Sequence, residues 1–408
     1  MAEFIAIPVG QGDAFYLERD GHTILVDGGK NKTAFPGVFC RVTGKDSINT
    51  LVCTHNDSDH ANGIIGYLNS AMRCDELWLP GRWLEVLPDV LQPIEKVIRL
   101  VCEEISEMSA RDCASALRIF SNLPNDDHSS FAGESSNRER RPLGSTDEEL
   151  LGRKEEKLDC GGWPLSMISC LENAENWGDE PVVGHWGWHW HTYHYGSLHG
   201  RLTGFVIEAA SRIREAALLA FQHGISIRWF EYCPSAPSGG LVGILTPVNA
   251  KEIFAMRRRC KTSLTDALSL TVANQESLVF WSPPTSDMPG VLFNADSDLV
   301  GVSLSSELEN AIATAPHHGS DDNANTYAVV IRDAAGCDST MTWVRSDCRS
   351  RTRPGEVYLG QVGKRYCTLC RPKNTERHKP TREVRFISQS RQWIPDIESR
   401  ECECKRAV

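Results

Sequence analysis

Two imidazoles and two carboxylates, His55, Asp57, Asp59 and His60, fall within six residues directly after the apolar run Thr50-Leu51-Val52-Cys53. Imidazole nitrogen and carboxylate oxygen are the donors that zinc, manganese and non-haem iron accept. In an extended segment side chains alternate, so His55, Asp57 and Asp59 share one side, and a turn at Asp59-His60 brings the fourth donor round. A structural zinc would draw on cysteines and saturate the ion. This donor set leaves positions open for water, and two such sites sharing a hydroxide describe a two-metal hydrolase. The plainer alternative, a solvated acidic turn with two incidental histidines, is disfavoured by the ligand spacing.

Other segments carry groups that could complete such a site. Asp296 ends the buried run Val291-Leu292-Phe293-Asn294-Ala295, where a carboxylate is costly unless it meets a cation. Asp27 follows the apolar Ile24-Leu25-Val26 and precedes two glycines that allow a sharp turn, which suits a group holding a metal-ligating histidine in place. Asp13 follows the turn Gly10-Gln11-Gly12 and is open to that same supporting role or to capping its turn. His317 and His318 are adjacent, so in an extended segment they point to opposite sides and only one can ligate. The other is then placed to donate a proton to a leaving group or to contact a phosphate.

These segments, taken in order, resemble the metallo-β-lactamase superfamily, and within it the soluble hydrolase domain of ComEC-type DNA-uptake competence proteins and their stand-alone relatives. That family carries His-x-Asp-x-Asp-His, as His55, Asp57, Asp59 and His60 do here. Val9 to Asp13, Thr23 to Gly29, Asn274 to Phe280, Val291 to Asp296 and Ala315 to Ser320 are similar to its further motifs, ending in His-His-Gly-Ser. The likeness spans roughly residues 3–82 and 200–330. It implies two divalent metals, zinc or manganese, with His55, Asp57, Asp59, His60, Asp296 and His317 as ligands. Asp296 would bridge the metals, Asp59 would orient the hydroxide and His318 would act beside it. The implied substrate is a phosphodiester, nucleic acid included, which makes the chain a nuclease or phosphodiesterase. Carbon-centred hydrolysis of a lactone, thioester or β-lactam is the enzyme alternative, because fold alone does not separate these chemistries. A partner-binding protein that keeps its metals for stability is the non-catalytic one. The further histidine that lactamases place before the bridging aspartate has no clear counterpart here.

The elements that must position these groups are strand-like runs and glycine turns over residues 1–82, and strands and helices over 200–335. Between them, 85–122 reads as helical through Val86, Val90, Ile94, Val97 and Ile98, and 123–158 as a mobile polar insertion. Two packed β-sheets with helices outside, an αββα sandwich, suit this order and are the fold the resemblance implies. The expected domains are a hydrolase domain over 1–335, with an insertion at about 85–200, and a basic, cysteine-containing extension over 336–408.

Residues 185–199 hold five histidines and five aromatics, which would suit stacking on nucleobases or simple packing over the core. His223 reads as a helix-end residue before Gly224. Among fifteen cysteines, Cys367-x-x-Cys370 and Cys402-x-Cys404 have spacing that could hold a structural zinc. The net charge of −11 argues against broad duplex binding, while the arginines at 345, 349, 351 and 353 give a local basic segment. Neither a membrane span nor a leader is evident, so a soluble cytoplasmic protein is expected.

Overall fold

A computed structural model describes residues 2–114 (less 71 and 110), 155–176, 197–370 and 381–404, with interruptions at 258–263, 269–273, 275, 305–306, 335, 337 and 347–352. The fold is mixed α/β and is built on two mixed sheets. The first comprises β1 (Glu3–Ala6), β2 (Phe15–Arg19), β3 (His22–Val26), β4 (Ser47–Val52), β5 (Arg73–Pro80), β7 (Ser226–Tyr232), β9 (Ala250–Ile253), β16 (Val384–Gln389) and β17 (Gln392–Pro395). Its spatial order is β17-β16-β1-β2-β3-β4-β5-β7-β9, with β3, β4, β5 and β7 parallel in succession. The second comprises β8 (Thr246–Pro247), β11 (Phe280–Ser282), β12 (Val291–Phe293), β13 (Ile312–Thr314), β14 (Thr342–Arg345) and β15 (Lys364–Cys367), in the order β15-β14-β13-β12-β11-β8. A separate ribbon pairs β6 (Glu155–Lys157) with β10 (Ala255–Arg257).

Strand side chains alternate between faces, and here both faces are apolar, so the central strands read as continuous hydrophobic runs. Phe4, Phe15, Val26, Val52 and Trp78 share one core with Phe280, Phe293, Ile312 and Val344, which joins the two sheets. Their neighbours Ile5, Tyr16, Leu25, Leu51 and Leu77 point the other way, into a core shared with helices. Those helices include α1 (Phe35–Thr43), α2 (Ser58–Leu68), α3 (Arg82–Val90), α4 (Ile94–Ser106), α5 (Leu165–Asn176) and α6 (Leu198–Gln222). The short α7 (Leu264–Ala267) joins the same core. On the second sheet, Trp281, Leu292, Ala313 and Trp343 pack with α8 (Ala324–Asp333) and α9 (Glu356–Leu359).

The longest helix, α6, buries Leu202, Val206, Ala209, Ile213, Ala216 and Ala220, the three-to-four spacing of one apolar stripe. Ser197 caps its start by accepting from Gly200 N, and it ends at His223 before Gly224 in the left-handed region (φ 62°), as the sequence suggests. Among the described residues, the helical segment expected over 85–122 is broken into α3, α4 and a further turn at 111–114. Pro93 precedes α4 as its N-cap, where its fixed φ and missing N–H cost nothing. Residues 115–154 and the histidine-aromatic run up to 196 lie outside the described residues. Residues 155–157, expected within the mobile insertion, form β6. The segment read as a C-terminal extension supplies β14 and β15 to one sheet and β16 and β17 to the other. Among the described residues, no helix is long and apolar enough to cross a membrane.

Candidate metal centre

The site sits where strands of both sheets end. β3 runs into Asp27, β4 into Thr54 to Asp57, β12 into Asp296, and β13 into the His317-His318 turn. These are the carboxyl ends of parallel strands, where α/β sheets leave a crevice for ligands. The halves are joined directly where Leu278 N donates to Thr54 O at 3.0 Å, and within the second half His317 N donates to Ala295 O at 2.9 Å. α2 is brought in by glycine-to-glycine contact. Gly28 N donates to His60 O at 3.0 Å and Gly63 N to Gly29 O at 2.8 Å, leaving no room for a side chain between them. A Cβ on Gly63 would lie 1.8 Å from Gly28 O, and one on Gly12 1.9 Å from Asp59 O.

Four imidazoles face one another with a common arrangement. His60 Nδ1 donates to Asp27 Oδ2 at 2.9 Å, and His318 Nδ1 to Asp13 Oδ1 at 2.9 Å. His317 Nδ1 donates to Asn323 Oδ1 at 3.0 Å; the amide is oriented by its own Nδ2 bond to Asp296 O at 2.7 Å. His55 Nδ1 pairs with Thr54 Oγ1 at 3.0 Å, and that hydroxyl donates onward to Asp27 Oδ2 at 2.7 Å. Acceptors at every Nδ1 place a proton there, so Nε2 is the atom each ring offers to a metal. The Nε2 atoms converge on carboxylates. His60 Nε2 is 3.3 Å from Asp296 Oδ1, His55 Nε2 is 3.7 Å and His317 Nε2 3.4 Å from Asp296 Oδ2, and His318 Nε2 is 3.2 Å from Asp59 Oδ2.

Despite that closeness, His55 Nε2, His60 Nε2 and Asp296 Oδ1 are buried without a hydrogen-bond partner among the described residues. Buried polar atoms are costly unless satisfied, and a cation would satisfy these together. His55, His60 and Asp296 form one group whose donor atoms lie within 4.8 Å of one another, and Asp59, His60 and His318 form a second. The donors fit a divalent ion such as zinc or manganese.

Asp57 departs from the expected role. The segment is not extended through Asp59: α2 begins at Ser58, ahead of the turn expected at Asp59-His60, because Asp57 caps it, its Oδ1 accepting from Ser58 N at 2.8 Å. Asp57 thus lies beside the two donor groups and outside both. The histidine pair also differs from expectation. His317 (φ 46°, ψ 49°) and His318 (φ 54°, ψ 26°) are left-handed, so both rings turn to the same side, 6.0 Å apart. His318, expected beside the ligands, joins the donor group with Asp59 and His60. His317, expected as a ligand, has Nε2 at 2.7 Å from Arg353 Nη2 as well as facing Asp296. Asp27 (φ 60°) and Ala295 (φ 47°) are left-handed too. Such residues cost about 1–3 kcal/mol each and persist where surroundings over-determine them, as at functional sites.

Asp27 supports a histidine, as read from sequence, and Asp13, left open there between that role and capping its turn, bonds His318. Ser346 also bonds Asp13, and Arg212 Nε donates to Asn56 O at 3.0 Å behind the His55 turn. No spacing in the chain announces Ser346, Thr54, Asn323 or Arg212. Asp27→Asn keeps the shape but weakens acceptance from His60 Nδ1–H. It is expected to lower metal affinity about 10- to 100-fold, read by competition with a chromophoric chelator.

Burial by itself disfavours charge on every group here, so the direction of each shift shows what overrides it. Asp296 is held well below the usual carboxylate range by His317, His60 and His55 despite burial. His60 is raised well above its ordinary value, Asp296 and Asp27 outweighing burial, and His318 likewise by Asp13 and Asp59. His55 and His317 are lowered, burial dominating. In chelator-stripped protein, raised folded values mean that His60 and His318 contribute stability below about pH 6.5, lost as pH rises through those values. Metal needs the same lone pairs, so its affinity should run the opposite way and fall as pH drops. Calorimetric titration in buffers of different ionisation enthalpy should show about two protons released on loading.

Compared with known proteins, the chain matches no family model and no curated protein.

Proposed function

We propose that the chain is a metal-dependent hydrolase of phosphodiesters, with the αββα sandwich of the metallo-β-lactamase superfamily. Supporting the fold is the sequence of cores described above, helices, sheet, sheet, helices, around one interface between the sheets. Supporting the activity above all is the convergence of lone pairs at Nε2 of His55 and His60 with unpartnered Asp296 Oδ1, a buried cation seat at the mouth of two sheets. His55, His60 and Asp296 would hold one ion, and Asp59 with His318 the other; Asp57 lies close enough to His55 to raise its proton affinity. Zinc or manganese held there would acidify water and offset charge developing on a substrate oxygen.

The chain's own groups do the rest. Asp59, held below the usual carboxylate range by His318 and His60 despite its burial, stays ionised and orients the nucleophilic water. Asp13 and Ser346 fix the His318 ring, and Asp27 fixes His60, so neither imidazole reorganises during reaction. The preference for phosphorus over carbon rests on Arg353, whose guanidinium reaches the cluster beside His317 and suits a phosphate oxygen. Arg353→Ala is expected to lower kcat/KM for phosphodiesters about 10-fold, roughly 1.4 kcal/mol, and to leave any ester or lactone turnover unchanged.

A substrate panel tests the assignment. Single-stranded DNA, duplex DNA, RNA, a homoserine lactone and an acyl thioester would be offered to the manganese- and zinc-loaded chain. Cleavage of at least one nucleic acid is the expected result. Turnover confined to the lactone or thioester would overturn the phosphodiester reading.

A further inference from the structure

Away from this site, Cys367, Cys370, Cys402 and Cys404 meet at the edge of the second sheet. Cys367 ends β15, and Cys370 follows in the next turn. The other pair arrives from near the C-terminus, where Cys402 N donates to Arg365 O at 2.6 Å and Glu401 bridges to Tyr366. Cys367 Sγ lies 2.9 Å from Cys370 Sγ, 3.1 Å from Cys402 Sγ and 4.0 Å from Cys404 Sγ, and all four sulfurs lie within 4.8 Å of one another. Four sulfurs about 2.3 Å from a shared zinc stand roughly 3.8 Å apart, so the cluster is of tetrathiolate size.

A second observation bears on what fills it. Arg345, on the neighbouring strand β14, is buried; Nη2 donates to Leu369 O at 2.7 Å, while Nε and Nη1 have no hydrogen-bond partner among the described residues. A buried guanidinium needs negative charge nearby. Two disulfides would leave the four sulfurs neutral and Arg345 uncompensated. Zinc with four thiolates carries a net negative charge that Arg345 offsets.

We propose that these four cysteines hold one structural zinc ion. Each thiol gives its proton to solvent as its sulfur bonds the metal, so loading releases four protons and involves no oxidant. The chain leaves the second sheet after β15, forms β16 and β17 on the first, and returns to the zinc at Cys402 and Cys404. The ion therefore closes a loop that clasps the two sheets together. Arg345 also precedes Ser346, which bonds Asp13, the partner of His318, so the clasp lies one residue from the support of the candidate metal centre.

Cobalt loading of the full chain tests this independently of any hydrolase activity. Expected are a thiolate-to-cobalt charge-transfer band in the near ultraviolet and intense tetrahedral bands in the red. Both should persist in Asp296→Asn and be lost or strongly reduced in Cys370→Ser and in Cys404→Ser. Should a cysteine variant fold poorly, the wild-type spectrum and mass spectrometry after alkylation under denaturing conditions decide together: a charge-transfer band with four alkylated thiols after chelation supports zinc. Absence of the charge-transfer band from wild type, its persistence in both cysteine variants, or recovery of the four cysteines as two disulfides would overturn the proposal.

Discussion

Asp296→Asn should leave a folded chain that binds metal poorly and hydrolyses phosphodiesters about a thousandfold more slowly, or not measurably. The reason lies in the position of one carboxylate: three imidazoles, His55, His60 and His317, point Nε2 at it from 3.3 to 3.7 Å. The amide keeps the volume and so the packing, but removes the charge that draws a cation into a buried place. Losing a ligand costs more than losing its support, so the effect should exceed that of Asp27→Asn. Metal titration and hydrolysis read the loss, and the melting curve of chelator-stripped protein shows that the fold survives. Wild-type metal affinity in this variant would mean that the cluster does not bind metal through Asp296.

Gly63→Ala should be the most damaging substitution of comparable size. Its Cβ would fall 1.8 Å from Gly28 O and 2.3 Å from Gly28 C, backbone atoms that cannot swing aside. Relief requires α2 to lift from the turn after β3, and α2 carries Asp59 and His60. Overpacking of backbone on backbone should cost about 3 kcal/mol. That corresponds to a thermal midpoint lower by roughly 5 °C in a chain of this size, with metal affinity falling alongside. Gly37→Ala is the control, because a Cβ there meets nothing within 4 Å. Equal melting of the two variants would show that the Gly28–Gly63 contact does not hold α2 in place.

Part of this site is legible in the residues alone, for physical reasons. His55, Asp59 and His60 are dense, polar and placed after a buried strand, so their cost announces a function. Asp27 and Asp296 end apolar runs and share that signature. The histidine pair is readable as a pair but not by direction, because alternation assumes extended backbone, and a left-handed conformation at two consecutive non-glycine residues leaves no trace in composition. Asp57 shows the opposite limit. Its type suits both a metal ligand and a helix cap, and only the start of α2 at Ser58 separates them.

The partnership of supporting groups was hidden by distance along the chain. Asp13 and Ser346 are 333 residues apart and meet because strands from both ends of the sequence enter the sheets. The same holds for β16 and β17, whose short runs Val-Arg-Phe-Ile-Ser-Gln and Gln-Trp-Ile-Pro fall in the segment read as a separate C-terminal extension until β1 is seen to pair with β16. Cysteine spacing, by contrast, picked out four sulfurs that do meet, since two close pairs need only one long-range meeting.

One measurement tests the central claim most directly: hydrolysis of bis-p-nitrophenyl phosphate by chelator-stripped protein titrated with manganese or zinc, with Asp59→Ala as the blank. Turnover that rises with added metal, saturates, and is absent from Asp59→Ala is the expected result. No turnover at any metal concentration, or equal turnover in wild type and Asp59→Ala, would contradict a phosphodiesterase centred on this cluster.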